Sequence, residues 1–414
     1  MDMFKPLLDI LKPGTRIYTP GATAELPTLS AALEAACDRC AGVQFISCLI
    51  PGINSFDYAA LHPDTRLTTF LLPRPLRGSF EAGKVQVMPL SYGGIVRYLT
   101  RHADLDWAIA HCAPPDVKGR CSYGIVADFG PLVWPAARKR LAIVNTAMPA
   151  LKGSPSLNLA EADVVIEIDQ PLLIQEPATS AAGATAIAQK IAELVPNGAA
   201  VQAGIGGVPG AALGALAGHR DLTIRSGLVD DRIMALHEAG ALAAHGDDRA
   251  GFAVGPRHFY DFLEDSRLVR FAPASETHDP GSLAREGNFT AINGALEVDL
   301  FGQCNLEWQQ GKLVSGIGGA PEFMRGAALN PQGRSIIGLA STARKETVSR
   351  IVAQLHSPTV SIGRDLVDLV VTENGVADLL GRSVDERAAS LMAIAAPAHR
   401  DRLAAQWRTL RQSL

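Results

Sequence analysis

The sequence predicts an α/β protein made of two related α/β domains, each with a mainly parallel sheet flanked by helices. Three observations predict it. Apolar, β-rich runs alternate with amphipathic stretches along the whole chain, the order that parallel strands and covering helices require. Apolar residues make up 47% of the chain and aromatics only 6%, with 39 glycines, so the core is built from Ala, Val, Leu and Ile around tight strand–helix turns. At 414 residues the chain exceeds one ordinary domain, and its grammar repeats. DILKPGTRIYTPGATAELPTLSAALEAA reads helix, Pro-Gly turn, strand, small-residue loop, helix; AIAQKIAELVPNGAAVQAGIGGVPGAALGAL reads helix, Asn-Gly turn, strand, glycine loop, helix.

In order, the first-half strands are TRIYTPG (15–21), VQFISCLI (43–50), TTFLLP (68–73), WAIAHCAPP (107–115), LAIVNTAMP (141–149) and ADVVIEI (162–168). LPTLSAALEAACDRC (26–40) and YGGIVRYLTRHA (92–103) carry helical spacing between them. The Pro, Gly, Ser and Thr of 169–185 mark the passage between halves, so the domains are expected at 1–180 and 181–414. The second half continues with strands in 221–231, 266–275, 290–303, 335–342 and 368–379 and closes on a charged helical stretch. TAINGALEVDLFGQ (290–303) reads as one strand, with Ile292, Leu296, Val298 and Leu300 on one face and Asn293, Ala295, Glu297 and Asp299 on the other.

Composition excludes several function classes. Net charge is −4, with no basic tract and no aromatic-interleaved patch, so nucleic acid is not an expected partner. No apolar run approaches the length of a membrane span, and the N-terminus lacks a secretory pattern, so a cytoplasmic protein without membrane contact is expected by elimination. Cys37 and Cys40 form a C-x-x-C within a helical pattern, with no second pair downstream; the ten histidines show no metal spacing. No metal site is expected.

Chemistry concentrates around Glu297. It precedes a glycine loop, GIGG at 316–319, and a second loop, GIGGVP, stands at 204–209. A carboxylate facing exposed amides suits nucleophilic attack on an acyl group whose oxyanion the amides stabilise. Glu297 and Asp299, two apart on one face, also have the spacing of a glycosidase pair, but aromatic sugar platforms are few. An edge strand with solvated acids fits the same residues. GIGGVP lacks the third glycine of a dinucleotide fingerprint and the Lys-Ser/Thr of a P-loop, so alone it fits an anion-binding turn and a plain tight turn equally.

Longer segments narrow the choice. VQAGIGGVPGAAL, INGALEVDLFGQCNLE, SGIGGAPEFMRGA, SIIGLASTA followed by SRIV, and TENGVADLLGRSVDERA with IAAPAHRDRL resemble the acetyl-CoA hydrolase/transferase family, which includes acetate, butyrate and 4-hydroxybutyrate CoA-transferases. PPDVKGRCSYG (114–124), VNTAMPALKG (144–153) and EIDQPLL (167–173) agree, so the resemblance covers essentially the whole chain. It implies two CoA-transferase-type α/β domains and an acyl-CoA:carboxylate CoA-transferase. The implied route is ping-pong: Glu297 attacks the donor acyl-CoA, and the acyl–glutamyl anhydride becomes a glutamyl-CoA thioester. It further implies acyl-CoA and small carboxylates as partners, coenzyme A as substrate rather than a permanently bound cofactor, and a homo-oligomer, at least a dimer. An acyl-CoA hydrolase on the same scaffold and a non-catalytic CoA-binding protein are the alternatives.

By carry-over, Gly318 and Gly319 line the CoA and oxyanion region, Phe323 and Arg325 flank the pantetheine, and Asn374 and Gly375 form a turn near it. Gly204, Gly206 and Gly207 shape the substrate pocket. Two departures fall in that pocket. Relatives commonly carry GGQ-x-D-F where this chain has Gly318-Gly319-Ala320-Pro321-Glu322-Phe323, so Ala320 loses a polar amide. Many carry His-Thr-Glu where this chain has Arg225-Ser226-Gly227. Arg225 is therefore expected to read a second carboxylate on the acyl chain, unless it points to solvent or pairs with Asp230 or Asp231.

Overall fold

The structure is a computed structural model that describes residues 2–175, 183–244, 247–344 and 346–414. Two sheets dominate it. Arg16–Tyr18 (β1), Gln44–Ile46 (β2), Arg66–Thr69 (β3), Val85–Val87 (β4), Trp107–Cys112 (β5), Lys139–Asn145 (β6) and Val164–Ile168 (β7) form an all-parallel sheet in the order β4-β3-β2-β1-β5-β6-β7. The second sheet uses Ala200–Ala203 (β8), Thr223–Ile224 (β9) and Thr290–Gly294 (β10). Beyond a small separate strand at Glu297–Asp299 (β11), it continues with Arg334–Gly338 (β12), Leu369–Thr372 (β13) and Gly375–Asp378 (β14). Its order is β9-β8-β10-β12-β13-β14, parallel except for the closing hairpin β13–β14. Central strands such as β5 and β8 are buried at every position, which is why they read as unbroken apolar runs.

Helices cover the sheets as their spacing predicts. Tyr92–Arg101 (α1) buries Tyr92, Ile95 and Leu99, positions i, i+3 and i+7 on one face. Ala184–Ala192 (α2) buries Ala184, Ile187, Ala188 and Ile191. The expected passage at 169–185, with the boundary at 180/181, falls partly outside the described residues.

The structure differs from the sequence reading at several elements. β4 lies in KVQVMPL, too short and polar to stand out. Cys37–Cys40 is a 3₁₀ turn beyond a helix ending at Ala35, and all six cysteines are free thiols. Residues 290–299 are two strands, not one: β10 joins the large sheet, whereas β11 pairs with Cys304–Asn305 and Ile351–Val352. Among the described residues no helix is long and apolar enough to cross a membrane, and no three His, Cys, Asp or Glu side chains are grouped to hold a metal ion.

In both sheets the first strand sends its connections in opposite directions, to β2 and ultimately β5 in one and to β9 and β10 in the other. Such a reversal opens a crevice at the strands' carboxyl ends. In the first sheet that crevice is filled. Only about 20 Å³ remains between Tyr18, Cys48, His111 and Asp128, room for about one water. The backbone of Asp128 joins the two sheets' loops, its N–H donating to the Gly251 carbonyl (3.1 Å) and its carbonyl accepting from Ala274 N–H (2.7 Å). His111 donates from Nδ1 to the Ala24 carbonyl (3.1 Å) and accepts at Nε2 from Asn145 (3.0 Å); burial lowers its pKa to about 4, so it is neutral. The Asp128 side chain is buried with Oδ1 unpartnered, and desolvation raises its pKa to about 8.

The folded chain thus keeps the Asp128 proton to about pH 8, while the unfolded chain releases it near pH 4. The stability this proton confers is fully present below the lower value and is lost as pH rises to the upper one. Asp128→Asn, which cannot ionise, is expected to melt a few degrees above the wild type at pH 8 and to lose that advantage at pH 4. Calorimetry at the two pH values measures it; equal differences at both would mean Asp128 is already ionised in the fold.

Candidate active site

The second sheet keeps its crevice open. β8 ends at Ala203 and runs into Gly204–Gly207, where Gly206 has φ +135° and Gly207–Gly214 (α3) begins. That φ is open to glycine and strained for other residues, so the loop turns sharply into the helix and leaves its backbone facing the crevice. β10 ends beside it at Gly294, and the side chains of Gln202 and Asn293 exchange amide hydrogen bonds (3.2 and 2.9 Å). A cavity of about 640 Å³ lies there. Its wall includes Ile50, Leu71 and Tyr92 from the first sheet's side and Leu228, Phe252 and Phe323 from the second's.

The other wall is the second glycine loop. Leu72 N–H donates to the Ser315 carbonyl (3.3 Å) and Tyr92 N–H to the Gly318 carbonyl (3.2 Å), binding the loop to the first sheet's side. A Cβ on Gly316 would lie 2.1 Å from the Phe70 carbonyl oxygen, and one on Gly319 would lie 2.3 Å from His278 Nε2. Gly318, not Gly319, carries the positive φ, +69°. Ala320–Leu329 (α4) follows, and its Glu322 carboxylate accepts from Ser91 Oγ and from Gly93 N–H (2.9 Å).

His278 stands between the loops. Its ring stacks on Tyr92 (4.2 Å between centroids) and leans on Phe323 (4.6 Å). Complete burial lowers its pKa to about 3, so it is a neutral imidazole. Gly227 lies against it: a Cβ there would be 3.0 Å from both Cε1 and Nε2 of the ring. The wall's one charged side chain among the described residues is Arg350, and no carboxylate among those residues pairs with it. Its backbone is held by Ser341 and Val298 (2.8 and 2.9 Å). This arrangement offers an apolar slot, backbone from two glycine loops, a neutral imidazole and a cation: a site for an acyl group carried on an anionic molecule.

The structure brings together Gly204, Gly206, Gly207, Gly318, Gly319, Ala320 and Phe323, all in the cavity wall. It does not bring the other expected residues there. Glu297 is 17% exposed and turned aside: its carboxylate accepts from His356 Nδ1 (2.9 Å), His356 N–H (3.2 Å) and Asn305 Nδ2 (3.5 Å). The chain breaks at Ala295-Leu296, so β11 leaves the crevice that β10 reaches. Arg225 is 7% exposed and bound to Asp247 (2.8 Å) and Glu286 (2.7 Å), not to Asp230, Asp231, solvent or the cavity. Arg325 is half exposed near Asp365 (3.8 Å). Asn374 donates to Ser341 Oγ (3.1 Å), and Gly375 packs at Ile394 in the β13–β14 hairpin. Sequence reading missed His278, Tyr92 and Arg350. Only Arg350 had a signal, lying in the SRIV block that contributes to the resemblance.

Comparison with known proteins gives consistent results. Residues 255–407 match the acetyl-CoA hydrolase/transferase C-terminal domain. The chain is 30% identical over 397 residues to a 4-hydroxybutyrate coenzyme A transferase of Clostridium kluyveri, covering 94% of this chain and 92% of that one. It is 33% identical over 350 residues to a succinyl-CoA:acetate/propanoyl-CoA:succinate CoA transferase of Fasciola hepatica, covering 82% and 73%. The solved structure of RipA from Yersinia pestis superposes with a TM-score of 0.91 at 27% identity, covering 98% of this chain and 96% of that one.

Arg225 is placed to hold the fold rather than to read substrate. Arg225→Met leaves Glu286 with Arg249 alone (3.2 Å) and is expected to cost about 3 kcal/mol, the scale of breaking a buried pair. Denaturant unfolding should show the loss, and relative rates with acyl groups of different charge should not change. A changed acyl preference at unaltered stability would return Arg225 to the site.

Proposed function

Because the chain belongs to the acetyl-CoA hydrolase/transferase family, we propose that it transfers coenzyme A between an acyl-CoA and a small carboxylate. The carrying observation is the cavity at the second sheet's reversal, closed by both glycine loops. Its volume suits a thioester with part of the pantetheine arm. Its apolar wall shields the thioester from water, which limits hydrolysis while a carboxylate competes for the acyl carbon. Backbone at Gly204–Gly207 and Gly316–Gly319 is available where the oxyanion develops. With Arg225 committed elsewhere, the preferred acyl group is a short monocarboxylic chain rather than a dicarboxylate.

Incubation with acetyl-, propionyl-, butyryl- and succinyl-CoA, with and without a panel of carboxylates, tests this reading. The expected result is new acyl-CoA without net free thiol, fastest with the monocarboxylic donors. Thiol release that needs no acceptor would make the chain a hydrolase.

Gly319→Val probes the loop. The added side chain collides with His278 Nε2, so the imidazole or the loop must shift. The expected outcome is activity lowered by roughly a hundredfold or more, the cost of a misplaced reacting group, with melting changed by only a few degrees. Full activity in this variant would remove the loop from the site.

A further inference from the structure

Resting on that reading, we propose that the transfer uses no protein carboxylate: the acceptor carboxylate, held by Arg350, attacks the thioester directly while both substrates are bound. Among the described residues the cavity wall contains no aspartate or glutamate, and several acids around it are hydrogen-bonded elsewhere. Glu297 is held by His356 and Asn305, Glu322 through Oε1 by Ser91 and Gly93, Glu373 by Ser341, and Glu307 by Ser361 (2.6 Å). At Gly227, also in the wall, the imidazole occupies the space that a side chain would need, 3.0 Å from where its Cβ would lie. What the wall does present is a cation, Arg350, with no carboxylate partner among the described residues. A guanidinium of this kind binds a carboxylate in a planar, two-point contact.

The steps balance without any added reagent. An acceptor oxygen bonds to the thioester carbon, the carbon–sulfur bond breaks, and coenzyme A leaves as thiolate, giving a mixed anhydride of the two acids. The thiolate then attacks the acceptor's carbonyl, and the bridging oxygen departs with the donor acid. The donor carboxylate therefore leaves with one oxygen that entered on the acceptor, in the first turnover.

A single-turnover experiment reads that oxygen. Enzyme in excess over acetyl-CoA is mixed with butyrate carrying ¹⁸O in both positions, and the released acetate is weighed by mass spectrometry. One ¹⁸O per acetate is the expected result. Unlabelled acetate alongside butyryl-CoA would overturn the inference, because a protein carboxylate would then have supplied the oxygen; the transferase reading would stand. Free thiol without butyryl-CoA would overturn that reading, and this route with it. Glu297→Gln is expected to keep its turnover and its label, and loss of both would overturn the inference. Arg350→Met is expected to raise KM for butyrate by roughly tenfold or more, the scale of a lost charge-assisted contact, with KM for acetyl-CoA little changed. A rise confined to KM for acetyl-CoA would overturn the placement of the acceptor and assign Arg350 to the phosphates of coenzyme A.

Discussion

Backbone packed directly against its neighbours, with no Cβ between, holds the cavity in shape. At Gly316 the second loop touches the Phe70 carbonyl, at Gly319 it touches His278, and at Gly204 the first loop lies against Asn293, where a Cβ would come within 2.5 Å of the side-chain oxygen. The first of these is where the carboxyl end of the first sheet meets a loop of the second; the other two lie within the second sheet's side of the cavity. A side chain at any of them would separate the walls by more than packing at interior density tolerates. The stacking of His278 on Tyr92 and the Tyr92–Gly318 hydrogen bond depend on that approach. So does the grip of Glu322 on Ser91 and Gly93.

The two sheets share a topology and use it differently. Each reverses direction at its first strand, and each reversal makes a crevice. In the first sheet, Tyr18, Cys48, His111 and Asp128 fill it with groups that burial keeps neutral. In the second, glycines line it and leave it open. The filled crevice serves as the joint, through the backbone of Asp128 and the Thr23 hydroxyl, which donates to the Ala253 carbonyl (2.7 Å). The open one is the cavity of the proposed transfer.

Charge is distributed to match. Arg225 and Arg249 are absorbed by Asp247, Glu276 and Glu286 away from the cavity. His278 and Asp128 are held uncharged by desolvation, a cost that only a rigid, well-packed surround sustains. Arg350 alone among the described residues brings a formal charge to the wall. Such a wall fits an anion near an apolar tail, as the proposed acyl-CoA and carboxylate would present.

How much of this the sequence determined follows from the range of the forces involved. Strand runs such as WAIAHCAPP and LAIVNTAMP, the amphipathic face of 92–101 and the two glycine loops were legible because periodicity and turn chemistry act over a few residues. The family was legible because whole segments such as SGIGGAPEFMRGA persist in order. Side-chain direction was not. Glu297 lies on the strand the sequence singled out, yet a break at Ala295-Leu296 moves it onto a separate small sheet, where His356, 59 residues later, takes its carboxylate. Arg225 falls in the expected strand region, yet Asp247 and Glu286, 22 and 61 residues on, claim its guanidinium. His278 and Tyr92 carry no local signal and meet only because the two sheets' loops dock. Local sequence thus set the elements and their glycine turns; which charges face the cavity was decided by contacts between residues far apart in the chain, where burial and ion pairing compete for each side chain.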